Sequence, residues 1–450
     1  MLLSRLLDIL YSAIPPKYYV YILLAVLTLA VIHAYAQGRR TDRERDLHAR
    51  VILVTGGFTP MGLTLLNELA TRGAHIIALS PIPIDSPKID ILINLLRTET
   101  KNEQIFADEC DLTDPNSIHA FCTKFVTGQE KRLDAIIFAH EYSHTGSIFA
   151  RRPVAVLEKE RKEASLATFL ATTLLLPALL VAPVERDIRV LNIVNPFYAA
   201  AVPSFSPSLY PLPQASMFLQ EGHRALRMVI FTRHLQRILD ALPSGQVPKT
   251  DESTSTVPVV SQKSQNSNIV VISVCPGISR SDTIAPLLNA DPTIAGASWT
   301  GTIIYILLQP LLRFLIKSPR SALQSVLHTL FLPTPFKTIE VTKGDTPTAP
   351  EEILKPGSLY RECAVIPLRI PSVLDPSAAP ASEKGKGKAK DEGEGEKLPD
   401  DGELGGEVAG RLVWESFEKE LVEWEKANPP PPATKGGSDT PPEVDVPANA

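Results

Sequence analysis

The feature that most restricts the fold is the apolar run VILVTGG at residues 51 to 57, which ends in glycine and precedes a helical stretch from Met61 to Arg72. A continuous apolar run of this length indicates a strand that is buried on both faces, as in a parallel sheet. Strand-like and helix-like segments alternate from there to the strand NIVVISV at 268 to 274. This alternation predicts right-handed βαβ units and an α/β fold with a doubly wound parallel sheet.

Composition divides the chain into one large domain and several flanking segments. Hydrophobic residues are 44% of the chain and concentrate in the domain, at residues 50 to 370. The polar stretch at 243 to 267 predicts a disordered insertion, because it has too few apolar residues to pack. The charged, glycine-rich stretch at 371 to 406 predicts a disordered linker, and residues 428 to 450 predict a disordered tail. Apolar side chains at helical spacing over 407 to 427 predict an amphipathic helix that docks on the domain, with a protein partner as the alternative.

Residues 18 to 36 form an apolar run that carries no charged residue unless His33 is protonated. At about 1.5 Å per residue, a helix of this length crosses the hydrocarbon core of a bilayer. Residues 1 to 17 form an amphipathic segment before it, and the run is followed by Arg39, Arg40, Arg43 and Arg45. Since positive charge stays on the cytosolic side, the sequence predicts a single-pass membrane protein whose domain faces the cytosol, in the endoplasmic reticulum or the mitochondrial outer membrane.

The alternative for this run is a cleaved secretory signal. Ala34-Tyr35-Ala36 satisfies the A-x-A pattern, and cleavage after Ala36 would leave the domain in the secretory lumen. However, the run is long for a signal and its dense positive charge lies on the far side, which favours a membrane helix.

Two further apolar runs, Leu166 to Val184 and Gly301 to Ile316, are predicted to be buried inside the domain. Pro177 interrupts the first run, and Pro310 and Arg313 interrupt the second. The alternative for the second run is a position at the membrane surface.

Charge and cysteine spacing argue against two classes of partner. The net charge is −5, and no basic stripe with interleaved aromatic residues predicts nucleic-acid binding. The cysteines are widely spaced, without histidines at the spacing of zinc ligands, so no metal site is predicted. They are Cys110, Cys122, Cys275 and Cys363.

Three motifs give the chain its family resemblance. With TGGFTPMG at 55 to 62, DLTD at 111 to 114 and CPGISRSDT at 275 to 283, in this order on successive strands, it resembles the short-chain dehydrogenase/reductase family. The resemblance covers roughly residues 50 to 370. It implies a Rossmann-type fold and a site for NAD or NADP.

The C-terminal part extends the resemblance. RSALQSVLHTLF at 320 to 331, PGSLYREC at 356 to 363 and RLVWESFEKELV at 411 to 422 are similar to the C-terminal region of retinol-dehydrogenase-like members. The chain also resembles an uncharacterised fungal branch of the family, a domain family of unknown function that carries an N-terminal membrane helix.

The resemblance implies a set of cofactor-binding residues at the carboxyl ends of the strands. In this family, glycines let the backbone approach the pyrophosphate, which sits on a helix N-terminus. Here the middle glycine of the motif is replaced by Pro60, which has no amide hydrogen, so weakened cofactor binding is predicted. The implied residues are Thr55, Gly56, Gly57, Gly62, Asp111, Pro276 and Gly277.

The catalytic residues of the family are only partly present. Members use a tyrosine as acid and base, a lysine four residues later that lowers the tyrosine pKa, and a serine that positions the substrate carbonyl. The serine position falls at Asn195. The register YPLPQASM keeps Tyr210 but places Gln214 at the lysine position, and the chain has no lysine between Lys162 and Lys249. The Tyr–Lys pair is therefore not intact.

A second register loses the tyrosine as well. Sliding the motif toward GHRAL at 222 to 226 fits the following helix, and there His223 or Arg224 would have to supply the positive charge. A lone histidine or arginine on a helix is more often a packing or surface residue.

The sequence thus predicts a membrane-anchored protein of the dehydrogenase/reductase type with a degraded catalytic tetrad, a pseudoenzyme that acts in binding or scaffolding. The alternative is an active NAD(P)-dependent oxidoreductase that acts on a lipophilic alcohol or ketone through a non-standard site with Tyr210 as the acid. The predicted partners are the lipid bilayer, a lipophilic small molecule and a protein.

Overall fold

The computed structural model describes most of the chain outside the segments that are predicted to be disordered. The amphipathic segment at 1 to 17, the insertion at 243 to 267, the linker at 371 to 406 and the tail at 428 to 450 lie mostly outside the described residues. The described ranges are 15–128, 132–143, 146–149, 153–183, 186–207, 210–212, 215–242, 267–290, 298–335, 352–371 and 402–430.

An eight-stranded sheet lies at the centre of the described residues, in the order β3-β2-β1-β4-β5-β6-β7-β8. Neighbouring strands pair in parallel, except that β7 and β8 are antiparallel. β1, β4, β5 and β6 are buried along their whole length, as strands covered on both faces must be. The predicted doubly wound α/β fold is confirmed. The strands are β1 Val51–Thr55, β2 His75–Ser80, β3 Ile105–Glu109, β4 Ala135–Phe138, β5 Ile188–Ile193, β6 Ile269–Cys275, β7 Leu359–Arg361 and β8 Ala364–Val365.

Helices cover both faces of the sheet and form two hydrophobic cores. One core packs α4, α5, α6 and α9 against the sheet, and the other packs α2, α3 and α8 against the opposite face. The longer α-helices are α1 Tyr19–Gln37, α2 Pro60–Ala70, α3 Pro87–Thr100, α4 Pro115–Thr127, α5 Val154–Leu180, α6 Met217–Ala241, α7 Trp299–Leu315, α8 Pro319–Phe331 and α9 Gly406–Ala427, and Tyr198–Ala201 and Ala285–Leu287 are short α-helical turns.

The segment between α1 and β1 runs beside α8 from the carboxyl edge of the sheet to its amino edge. Near the start of α8, Gln37 Oε1 accepts a hydrogen bond from Ser321 Oγ at 2.7 Å. Near the end of α8, Arg45 donates to the carbonyl oxygen of Leu330 at 3.2 Å. The apolar helix α1 therefore meets the domain at the carboxyl edge of the sheet.

The apolar runs have different environments. No residue of α1 is buried. In α5, which contains the run that begins at Leu166, 61% of the most apolar stretch of 18 residues is buried. This run therefore forms a core helix, as predicted. The prediction that the run from Gly301 to Ile316 is buried is wrong. It forms α7, in which Gly301 and Leu312 are the buried residues, because α7 lies on the outside of the domain and no further layer of the described residues covers its outer face.

The C-terminal helix α9 packs against α5 and α6. Its Phe417 is buried and stacks on Phe169 of α5, with ring centroids 5.4 Å apart. The guanidinium of Arg227 lies 4.4 Å from the centre of the Phe417 ring and also pairs with Glu420 at 2.6 Å. The helix thereby completes one of the two cores.

We expect Phe417→Ala to lower the free energy of unfolding by roughly 3–5 kcal/mol, because it removes a buried aromatic side chain from this core. Chemical denaturation of the full chain in detergent measures the change. Val422→Ala on the same helix is the matched control, since Val422 is 48% exposed and should shift the midpoint little. Equal effects of the two variants would contradict the docking of α9.

Candidate functional site

The turn after β1 depends on two glycines. Gly56 has a positive φ of 66°, and a side chain there would lie 2.7 Å from the backbone of His140. A side chain at Gly62 would overlap the carbonyl oxygen of Gly56. Both glycines are therefore required by the packing of the turn itself, whether or not a ligand approaches it.

The amides in the first turn of α2 are the anion-binding groups that the glycine turn would offer to a pyrophosphate. Pro60 has no amide hydrogen. The amide of Gly62 donates to Thr59 Oγ1 at 3.1 Å, and the amide of Met61 donates to Asp282 Oδ1 at 2.9 Å. Leu63 donates to the Thr59 carbonyl at 2.8 Å. Each of these first-turn positions thus has a partner within the chain or lacks a donor.

Asp282 lies in a single π-helical turn at Arg280–Ile284, just after β6, and its side chain contacts the N-terminus of α2. Its side chain is 2% exposed. Its other carboxylate oxygen accepts hydrogen bonds from Ser279 Oγ at 3.0 Å and from Ser281 Oγ at 2.7 Å. A buried carboxylate thus lies at the positive end of α2, the position that favours negative charge.

The residues present do not fit a dinucleotide pyrophosphate in this arrangement. A phosphate at the N-terminus of α2 would compete with Asp282 for the Met61 amide and would be repelled by the carboxylate. Moving Asp282 away would leave a buried charge without its amide partner, which is costly.

Other sequence-predicted cofactor residues make contacts within the protein. Thr55 Oγ1 lies 2.7 Å from His140 Nδ1, and Gly57 packs against Leu66 and Ala78. Asp111, at the end of β3, accepts hydrogen bonds from the amide and hydroxyl of Thr113 at 2.9 and 2.8 Å. That side chain closes a local turn.

Pro276 and Gly277, after β6, accept hydrogen bonds through their carbonyls. Lys317 Nζ donates to Pro276 at 3.1 Å, and the Tyr142 hydroxyl donates to Gly277 at 2.6 Å. Tyr142 is 1% exposed, and burial raises the pKa of its hydroxyl, so it stays neutral. Its side chain connects the carboxyl ends of β4 and β6, in the crevice where doubly wound sheets bind ligands.

Tyr142 and Asp282 are the site residues that sequence reasoning missed. Tyr142 belongs to FAHEY, which replaces the asparagine-rich segment of the family, and that departure was the available signal. Asp282 lies within the motif CPGISRSDT, but the motif gave no signal for its contact with Met61, which is 221 positions away in the chain.

The sequence-predicted catalytic residues lie on the other side of the crevice, beside α6. Asn195 is fully buried after β5, and its amide donates to Glu221. The ring of Tyr210 lies against the Arg227 guanidinium, 4.7 Å from its centre. Burial raises the pKa of Tyr210 to about 12 despite the nearby charge of Arg224. Gln214 lies outside the described residues.

A buried network of charges surrounds Asn195. Arg224 pairs with Glu141 and, at 2.6 Å, with Glu221. Arg161 pairs with the other oxygen of Glu221 at 3.0 Å. Burial opposes the charge of Arg224, but the two carboxylates outweigh it and raise its pKa. The two guanidinium groups and two carboxylates therefore hold one another in an internally balanced cluster.

The residues considered as replacements for the catalytic lysine differ in charge. Burial lowers the pKa of His223 to about 4, so this imidazole is neutral at physiological pH. Arg224 keeps its charge, but Glu141 and Glu221 already neutralise it. Neither side chain gives Tyr210 the lowered pKa that an acid–base residue needs near neutral pH.

The described residues include no group of three or more histidine, cysteine or acidic side chains that could hold a metal ion.

We expect Arg224→Met to lower the free energy of unfolding by about 3–5 kcal/mol, because it leaves Glu141 and Glu221 buried without this partner. Denaturation of the full chain in detergent measures the loss. Arg320→Met is the matched control: its guanidinium is 74% exposed in a surface pair with Glu68, and its effect should stay under about 0.5 kcal/mol. If the buried network did not stabilise the fold, Arg224→Met and Arg320→Met would lower the free energy of unfolding by the same small amount.

Comparison with curated proteins finds relatives of this chain, although no family model matches it. An uncharacterised oxidoreductase of Schizosaccharomyces pombe is 24% identical over 314 residues, which is 69% of this chain and 77% of that protein. An uncharacterised oxidoreductase of Saccharomyces cerevisiae is 27% identical over 329 residues, or 68% and 74%. Human retinol dehydrogenase 12 is 29% identical over 199 residues, or 43% and 58%.

Solved structures also align with the chain. A short-chain dehydrogenase of Salmonella enterica serovar Typhi covers 62% of this chain and 89% of its own, with a TM-score of 0.40 and 15% identity. An NADPH-bound short-chain oxidoreductase of Pseudomonas aeruginosa, described as containing an atypical catalytic center, covers 63% and 90%, with a TM-score of 0.41 and 16% identity.

The narrower similarity to a fungal branch stays a prediction, because no family model matches. The sheet order, the glycine turn after β1 and the curated relatives agree on the broader assignment. In fold and motifs the chain is similar to the short-chain dehydrogenase/reductase family, and its site residues diverge from that family's pattern.

Proposed function

We propose that this protein is a membrane-anchored member of the family that has lost hydride transfer and acts by binding or scaffolding at a membrane. The observation that carries the proposal is the hydrogen bond from the Met61 amide to Asp282. It puts one of the protein's own carboxylates where the family's fold would hold a cofactor phosphate.

The catalytic side of the crevice supports the same proposal. A working acid–base tyrosine needs a pKa near the operating pH, but burial raises that of Tyr210 to about 12. The amide of Asn195, at the serine position, is already held by Glu221. These contacts stabilise the fold. They also leave the two proposed catalytic groups paired with other side chains of the protein, Asn195 with Glu221 and Tyr210 with Arg227.

The proposed anchor is α1. It has no buried residue, and exposed arginines Arg39 and Arg40 follow it. By the positive-inside rule, the domain then faces the cytosol, at the endoplasmic reticulum or the mitochondrial outer membrane. A cleaved signal with a lumenal domain is the competing topology.

An active oxidoreductase on a lipophilic alcohol or ketone is the second candidate. The observation that favours it is the position of Tyr210 between cationic groups: Arg224, Arg227 and Arg161 each act to lower its pKa against burial. In this account a guanidinium would take the role of the missing lysine, and NAD or NADP would supply the hydride.

Titration with NADPH and NADH separates the two candidates. We expect the full chain in detergent or nanodiscs to show no thermal stabilisation at millimolar cofactor, because Asp282 competes for the Met61 amide. A cofactor at 100 times its Kd would add about 2.7 kcal/mol, so binding would be easily seen. Asp282→Ala removes the competing carboxylate and should bind NADPH more strongly than wild type.

Asp282→Asn is the matched control, since it keeps an oxygen acceptor for Met61 and removes only the charge. Stabilisation of the wild-type chain by micromolar NADPH would contradict the proposal. So would hydride transfer that disappears in Tyr210→Phe, which would instead support the active oxidoreductase.

A further inference from the structure

The apolar surface of α7 is the largest feature that the proposed function leaves unexplained. Its large side chains are exposed and recur at spacings of three and four, so they share one helix face. Trp299 is 85% exposed and Leu307 is 74% exposed. The face consists of Trp299, Ile303, Ile306, Leu307, Leu311 and Phe314. A continuous apolar surface of this kind marks an interaction site.

Both ends of α7 contact segments that follow β6. Before its first turn, the Ser298 amide donates to the carbonyl of Asn289 at 2.9 Å, and Gly301 packs closely on the Leu288 carbonyl. Beyond its last turn, Lys317 forms a backbone bridge with Ser279 and reaches the Pro276 carbonyl. At about 1.5 Å per residue, α7 is about 25 Å long, and its last turn is followed by contacts with the carboxyl end of β6.

The C-terminal ends of α7 and α1 meet at this edge. His33 Nδ1 lies 3.2 Å from the Phe314 carbonyl oxygen, and the two rings pack edge to face at 5.8 Å. Gln37 donates to the Ile316 carbonyl at 3.2 Å. If α1 enters a bilayer, α7 lies at its point of exit.

The charges around the two helices match a membrane surface. Arg313 is the one charged residue within α7. Arg39 and Arg40 are exposed at the end of α1, and the guanidinium of Arg320 is exposed at the start of α8. An apolar helix face bordered by arginines is typical of helices in the interface of a bilayer that contains anionic lipids.

We propose that α7 lies in the plane of the membrane, with its apolar face between the headgroups and acyl chains of the bilayer that holds α1. The proposal rests on the proposed anchoring by α1 and extends it. With α7 in the interface, the carboxyl edge of the sheet faces lipid, and the domain has one fixed orientation at the surface.

Lipid quenching of single labels on the full chain tests the proposal. The chain is reconstituted into vesicles of phosphatidylcholine and phosphatidylserine, with an environment-sensitive fluorophore on one introduced cysteine. The native cysteines are buried. Leu307→Cys reports on α7, and Leu27→Cys, at a position 61% exposed, reports on α1. Val181→Cys is the matched control, since Val181 is apolar and 86% exposed but lies between α5 and β5 at the amino edge.

We expect the Leu307 label to be blue-shifted and to lose most of its emission to a spin label near the headgroups. The Leu27 label should respond most strongly to a spin label deep in the acyl chains, and the Val181 label to neither. Quenching at Leu27 with a fully water-exposed label at Leu307 would overturn the inference and leave the anchor in place.

Two further outcomes would also overturn the inference. A label at Leu307 that is blue-shifted but not quenched by either lipid would show that a protein, or a second copy of this chain, covers the face. Absence of quenching at both Leu27 and Leu307 would remove the membrane anchor and the inference together.

Discussion

The hydrogen bond from the Met61 amide to the Asp282 carboxylate determines what the carboxyl edge of the sheet can hold. It connects the start of α2 to the turn after β6, so the glycine turn and the segment before α7 are fixed together. The carboxylate also satisfies a helix-end donor that would otherwise need a ligand or water. The fold of a dinucleotide-binding domain is preserved, but the amide of Met61 at its anion site is bound by the carboxylate of Asp282.

On the other side of the crevice, the buried ion network is likewise satisfied by side chains of the protein itself. Arg224, Arg161, Glu141 and Glu221 balance in charge, and Asn195 is hydrogen-bonded into the cluster. Breaking one member of such a network is costly, although the network as a whole need not stabilise the fold more than apolar packing would. The crevice is therefore lined by side chains that are paired with one another, which is the basis of the proposed role in binding or scaffolding.

The sheet could be predicted from the sequence because strands such as Val51–Thr55 are apolar throughout, and such runs bury both faces. The burial of α7 was predicted wrongly, since hydropathy alone does not distinguish an apolar helix buried in the protein from one exposed at its surface. Asn195 and Tyr210 could be found by motif position. The roles of Asp282 and Tyr142 could not be predicted, although both lie in segments that the motif comparison covers, because these roles depend on contacts between segments distant in the chain.

An experimental structure of the full chain at saturating NADPH tests the central claim most directly, through the atom that accepts the hydrogen bond from Met61. The account predicts that Asp282 Oδ1 remains within hydrogen-bond distance of the Met61 amide nitrogen, about 2.9 Å, with no nucleotide density at the N-terminus of α2. A pyrophosphate oxygen on that amide, with Asp282 displaced, would contradict it.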